Sequence, residues 1–244
     1  MSAASDLYEK QIAENINSIP GMEAARLSVG VEYSDVAITK YNNQTLSKRQ
    51  WVEVKMSHSD NLSNPRVFYK DNKWQTTYKT PAAKAAVEIL NKSQQTKQFI
   101  KAISKFSGIP ENVIKIPTTY GGLKEPGAVP LMVMKAYFDQ PGINRYIVNN
   151  PKYPLGDLVT QHYTVGKREP AYYMQAGDDF YLVSRTNPLN LSSDIPLLTG
   201  EGDFKMRVST RSNFYEVQAE IKIISMPISK YSIAPNTRKM NPFI

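Results

Sequence analysis

Apolar positions along the first 56 residues change their period. Tyr8, Ile12, Ile16 and Ile19 recur at spacings of 4, 4 and 3, which predicts a helix capped by Ser5 or Asp6 and running to about Ser18. Glu9 falls on the flank of that stripe beside Ile16, whereas Glu14 falls on the solvated side. Pro20-Gly21 stops the helix, and 24–31 reads as a first strand. The period then drops to two. Val36 and Ile38 alternate with Asp35, and Val52, Val54 and Met56 alternate with Glu53 and Lys55, predicting short strands over 34–38 and 51–56. Residues 39–50, with Asn42, Asn43 and Gln44, suit a hairpin loop.

Further on, 65–78 alternates around Lys70-Asp71-Asn72-Lys73 as a turn-rich hairpin or loop, and Thr80-Pro81 opens a helix over 82–91. Phe99, Ile100, Ile103 and Phe106 predict a second helix over 95–106, closed by Ser107-Gly108. Residues 118–130, with Gly121, Gly122, Gly127, Pro126 and Pro130, read as a loop, followed by a short apolar run over 131–138 and a helix over 155–163. From Ala171 the pattern turns to strands at 171–175, 180–184, 204–209 and 214–224. The expected class is α/β (α+β): a mixed sheet flanked by helices, with a strand-rich C-terminal part. The chain divides on this reading into a core over 1–110 and a loop- and strand-rich part over 111–244.

The alternation assigns chemistry as well as shape. With Val52, Val54 and Met56 turned to the core, Glu53 and Lys55 share the opposite face, and Asp35 opposes Val36 and Ile38 in the same way. Two carboxylates are hard oxygen ligands for Mg²⁺, and an ammonium beside them suits the attacking water of a phosphodiesterase. Asp203 with Glu220-Ile221-Lys222 repeats the pattern, 17 residues apart against 18 for Asp35 and Glu53. No capped helix precedes that later copy, so the earlier one is the expected site.

Asp35 followed by Glu53-Val54-Lys55, with Ser34-Asp35 in place of Pro-Asp, resembles the PD-(D/E)XK nuclease superfamily, and in outline small type II restriction endonucleases. The common core of that superfamily is a helix, a three-strand meander carrying the motif, and a second helix, a role the helix at 82–91 would fill. The resemblance implies a restriction-endonuclease-like fold, Mg²⁺ dependence with Mn²⁺ able to substitute, double-stranded DNA as substrate, cleavage leaving 5′-phosphates, and often a homodimer. It assigns Asp35 and Glu53 to the metal, Lys55 to orienting or deprotonating the water, and Glu9 to a further metal ligand.

Charge fits a polyphosphate partner. The 244 residues carry a net charge of +8, and 35–110 alone hold 13 basic against 5 acidic groups. Arg49, His58, Arg66, Lys70, Lys73, Arg207 and Arg211 are the expected DNA contacts. The chain has no cysteine, which excludes disulfides, zinc thiolates and a cysteine nucleophile and fits the cytoplasm. No run of 18 apolar residues occurs and the N-terminus lacks a signal-peptide pattern, so neither membrane nor secretion is expected. Its 2 histidines, His58 and His162, stand far apart, and no P-loop or dinucleotide-binding glycine pattern is present. Two other classes fit the same composition: a non-catalytic nucleic-acid-binding protein, and a phage structural or assembly protein suggested by 15 Tyr and 16 Pro.

Overall fold

In a computed structural model, the 4-4-3 stripe forms the buried face of helix α1 (Ala3–Asn17), which covers Ile12, Ala13 and Ile16 completely or nearly so. Burying Ile12 and Ile16 contributes about 1.5 to 3 kcal/mol each. The structure describes residues 3–27, 33–58, 61–155 and 157–244, with backbone alone for 151–154. Contacts divide the chain into two units. Unit 1 comprises Met1–Asp60, Pro154–Glu201 and Ile223–Ile244, and unit 2 comprises Asn61–Tyr153 and Gly202–Lys222.

After α1, unit 1 continues with β1 (Glu23–Arg26), β2 (Val36–Tyr41) and β3 (Gln44–Lys55). Residues 28–31 of the expected first strand lie outside the described residues. β1, β2 and β3 form an antiparallel meander. The loop expected over 39–50 is instead a two-residue turn between long strands. Asn42 and Asn43 both adopt positive φ (50° and 64°), the backbone that matches the twist of a tight hairpin and that asparagine tolerates.

Unit 2 begins with β4 (Asn61–Ser63) and the hairpin β5 (Phe68–Lys70) and β6 (Lys73–Gln75), where Asp71 and Asn72 repeat the positive-φ turn. Helices α2 (Pro81–Lys92), α3 (Gln94–Ser107) and α4 (Leu131–Phe138) follow. The α2 start is as the sequence predicts, with Thr80 Oγ1 accepting from the Ala83 amide at 3.3 Å. The apolar run at 131–138 is α4, whose Tyr137 and Phe138 close on Phe99 of α3 with ring centroids 6.0 and 6.1 Å apart. Strand β7 (Tyr146–Pro154) was masked in the sequence by Pro151 and Pro154, which an edge strand accommodates.

Unit 1 resumes with α5 (Leu158–Thr164), β8 (Ala171–Ala176) and β9 (Asp179–Leu182); β10 (Glu201–Thr210) and β11 (Tyr215–Ile223) belong almost wholly to unit 2. The unit 1 sheet has the order β1-β2-β3-β8-β9, with β8 parallel to β3 and antiparallel to β9. α5 packs against β8. One face of the sheet (Val36, Ile38, Val52, Val54, Tyr173) joins Ile12 and Ile16 of α1 in a single core. The unit 2 sheet has the order β4-β11-β10-β7.

The class is α+β with a mixed sheet, as expected, but its division is different. The boundary foreseen at residue 110 lies inside unit 2, because the Ile116 and Tyr69 backbones exchange hydrogen bonds (3.0 and 2.9 Å) that return the chain to the β5–β6 hairpin. The helix at 82–91, foreseen as the second core helix, packs on β6 and β4 of unit 2 instead. In unit 1 the helix that follows the meander is α5.

Candidate active site

The β2–β3 ladder pairs Val36 with Val52 and Ala37 with Trp51, and continuing that register sets Asp35 opposite Glu53. Cross-strand partners present side chains to one face about 5 Å apart. Since Val36, Val52 and Val54 serve the α1 core, Asp35, Glu53 and Lys55 occupy the other face. Asp35 Oδ2 accepts from the Val54 amide at 2.8 Å, which holds the carboxyl over β3. Lys55 Nζ stands 2.8 Å from Glu53 Oε1, and Lys167 Nζ, from the segment after α5, stands 3.4 Å from Glu53 Oε2. Lys167 also donates to the Tyr33 carbonyl at 3.1 Å. Glu53 Oε2 is buried and accepts no hydrogen bond among the described residues.

These neighbours pull the two carboxyls apart in character. Burial opposes ionisation of Glu53, but Lys55 and Lys167 prevail and hold it well below the ordinary carboxylate range. Asp35 goes the other way. Burial first, then the charge of Glu53, pushes it up to about 7, only partly offset by Lys55 and the Val54 amide. Burial would lower Lys55, yet the Glu53 carboxylate beside it raises it above the usual lysine value, so its ammonium stays charged. α5 contributes two buried rings. Burial pushes the Tyr163 phenol up and His162 down to about 4, leaving His162 a neutral imidazole.

Two carboxylates share one face, one ion-paired to two lysines and the other holding its proton more tightly than usual, and their oxygens are of the hard type that could contact a small dication. Mg²⁺ commonly takes one or two protein carboxylates and fills its remaining positions with water and phosphate oxygens. Among the described residues no group of three or more His, Cys, Asp or Glu side chains could hold a metal ion, so an ion at this face would have to rest on Asp35 and Glu53 alone.

Glu9 is buried as its place beside Ile16 implied, but it is committed elsewhere. Its carboxylate accepts from Ser5 Oγ at 3.1 Å and from Arg26 Nε at 2.9 Å, and the structure does not bring it into a three-carboxylate group with Asp35 and Glu53. The reason lies in β1, where Arg26 also reaches Asp6 at 2.7 Å and draws both acids of α1 to itself. Lys167, Tyr163 and His162 are site residues that local pattern does not reveal, because they arrive through the β3–β8 pairing more than a hundred positions along the chain.

The expected DNA contacts are scattered and mostly paired with acids. In unit 1, Arg49 pairs with Glu169 at 2.9 Å, and His58 Nε2 lies 2.8 Å from Asp179. In unit 2, Arg66 and Arg211 both reach Glu216 at 2.7 Å, Lys70 lies 3.2 Å from Glu125, and Arg207 lies 2.5 Å from Glu220. Lys73, exposed at the start of β6, stands apart from these pairs. Asp203 of the second copy pairs with Lys205 at 2.5 Å. Six of the seven expected contacts are thus already engaged by acids, as buried carboxylates such as Glu216 and Glu220 require cations to offset their desolvation.

Comparison with known proteins gives no matching family model, no matching curated protein and no matching solved structure. Among the described residues, no helix is long and apolar enough to cross a membrane.

Proposed function

We propose that unit 1 is a divalent-metal-dependent nuclease that hydrolyses phosphodiester bonds of double-stranded DNA and leaves 5′-phosphates, in the manner of type II restriction endonucleases. The observation that carries this reading is the pairing of Asp35 with Glu53 on one buried sheet face, with the Lys55 ammonium 2.8 Å from Glu53. The succession helix, three-strand meander, helix also supports it, with α1, β1–β3 and α5 in those places. Asp35 and Glu53 would hold Mg²⁺, with Mn²⁺ able to substitute. When bound, such an ion lowers the pKa of a coordinated water and offsets charge on the phosphorus centre.

The protein's own groups divide the remaining work. Glu53, kept ionised by Lys55 and Lys167, offers a permanent negative charge. Asp35, its pKa pushed up to about 7, would have to give up its proton to hold a cation, so affinity for metal is expected to rise with pH through about 7. Lys55 stays protonated, and its part is therefore to donate a hydrogen bond and stabilise developing negative charge rather than to take a proton from water. Tyr163 and neutral His162 supply buried walls that keep bulk water from these groups.

Plasmid cleavage tests the reading. Incubation with Mg²⁺ gives cut products, EDTA abolishes them, and Asp35→Ala and Lys55→Ala each remove the activity while the proteins remain folded by circular dichroism. Cleavage that persists in EDTA, or in both variants, overturns it. Discrete bands identify site-specific cutting and a smear identifies nonspecific cutting.

A further inference from the structure

We propose that a cleft lying wholly within unit 2 is a nucleotide-binding pocket, with aromatic rings for a base and a pair of lysines for its phosphate. The cleft has a volume of about 430 Å³ and is lined by Phe68, Tyr69, Tyr78, Lys70, Lys115 and Glu125, among others. That volume is in the range of small-molecule sites. It does not include any residue of the Asp35 and Glu53 site, and its ligand is not required for the chemistry there.

The walls follow from the local fold. The β5–β6 turn at Asp71-Asn72 sets Phe68 and Tyr69 on a short hairpin, and Trp74 backs the Tyr69 ring at 5.3 Å. Backbone bonds between Tyr69 and Ile116 then fix Lys115 beside that hairpin. Lys70 and Lys115 both reach Glu125 Oε2, at 3.2 and 3.1 Å, so one carboxylate oxygen holds two ammonium groups together at one side of the cleft. Tyr78 remains 45% exposed, a large ring left accessible at the same cleft.

This combination selects a chemical class. A purely apolar ligand would leave the two lysines unused, and inorganic phosphate would leave the rings unused. A nucleotide uses both: its base stacks on an aromatic face, and its phosphate bridges two ammonium groups as the Glu125 carboxylate does now. Glu125 is 44% exposed in its side chain, so its ion pairs are weak enough to be exchanged for a phosphate. The ligand is a free mononucleotide or an unpaired nucleotide of a nucleic-acid strand, which present the same base and phosphate.

The test uses the full chain in EDTA, so that no cleavage intrudes. Fluorescence anisotropy of a short fluorescein-labelled oligothymidylate reports strand binding, and displacement by free deoxynucleoside monophosphate reports whether the single nucleotide suffices. Displacement assigns the pocket to nucleotides generally; strand binding that resists displacement assigns it to an unpaired nucleotide within a polymer. In either case Tyr78→Ala weakens binding about tenfold, Tyr78→Phe retains it, and Lys115→Ala weakens it. Glu125→Gln tightens it by removing the competing carboxylate. Absence of binding by both ligands, or wild-type affinity in both Tyr78→Ala and Lys115→Ala, overturns the proposal. Tyr78→Ala and Lys115→Ala are assayed for Mg²⁺-dependent plasmid cleavage as well, so loss of cleavage and loss of this pocket are separable results.

Discussion

Asp35, Glu53 and Lys55 in unit 1 and Asp203, Glu220 and Lys222 in unit 2 share nearly the same spacing, yet the folded chain treats them differently. In unit 2 each carboxylate has its own cation on the same sheet, Lys205 for Asp203 and Arg207 for Glu220. In unit 1 both cations close to the carboxylates, Lys55 and Lys167, converge on Glu53, and Asp35 forms no ion pair among the described residues. Burial first, then the charge of Glu53, leaves Asp35 with a raised affinity for its proton. Spacing alone places acids on a face; the placement of the cations decides which of those acids is ion-paired.

Paired substitutions break the comparison most sharply. Asp35→Asn and Glu53→Gln are each expected to reduce plasmid cleavage at least about 100-fold, whereas Asp203→Asn and Glu220→Gln leave it unchanged. The opposite pattern in folded proteins would move the catalytic assignment to unit 2. A pH titration of stability is the next largest effect. Asp35 binds its proton more tightly folded than unfolded, so its contribution is complete below its ordinary pKa near 3.8 and is lost as pH rises through about 7. Glu53 has the opposite sign, but its window lies lower, below the ordinary carboxylate range. Melting in EDTA is therefore expected to show stability falling between about pH 5 and pH 8, by on the order of 2 to 4 kcal/mol. Asp35→Asn flattens that fall, and Mg²⁺ reverses it in the wild type only; a wild-type profile flat in EDTA refutes the raised affinity. The smallest effect concerns the turns that recur in both units. Asn42→Ala and Asp71→Ala, each at a positive-φ position, should lower stability by about 1 kcal/mol, while the glycine variants should melt at or above wild type.

Short-range pattern carried much of this. Alternation put Glu53 and Lys55 on one face, the 4-4-3 stripe placed α1, and Thr80-Pro81 placed the start of α2. Asn42-Asn43 also held the information for a tight turn, but polar residues on both sides suggested a longer loop, since neither face of 44–50 is buried and no apolar alternation marks the strand. What local pattern could not supply is partnership at a distance. Parallel pairing of β3 with β8 leaves no trace in periodicity, so the sequence points to α2, nearer and better capped, as the helix that follows the meander, whereas in unit 1 that helix is α5. For the same reason Lys167 was invisible as a partner of Glu53, and Arg26 as the group that claims Glu9.

The parallel match of Trp51–Lys55 with Ala171–Ala176 also sets a schedule for the growing polypeptide. While synthesis is between those segments, the strand bearing Glu53 has a partner on one side and unsatisfied amides and carbonyls on the other, an edge prone to pair with foreign strands. Nearly half of the 244-residue chain, from Lys55 to Ala171, must still be made before that edge is closed, which makes the interval after residue 60 the stage at which a nascent or truncated chain is most exposed to aggregation.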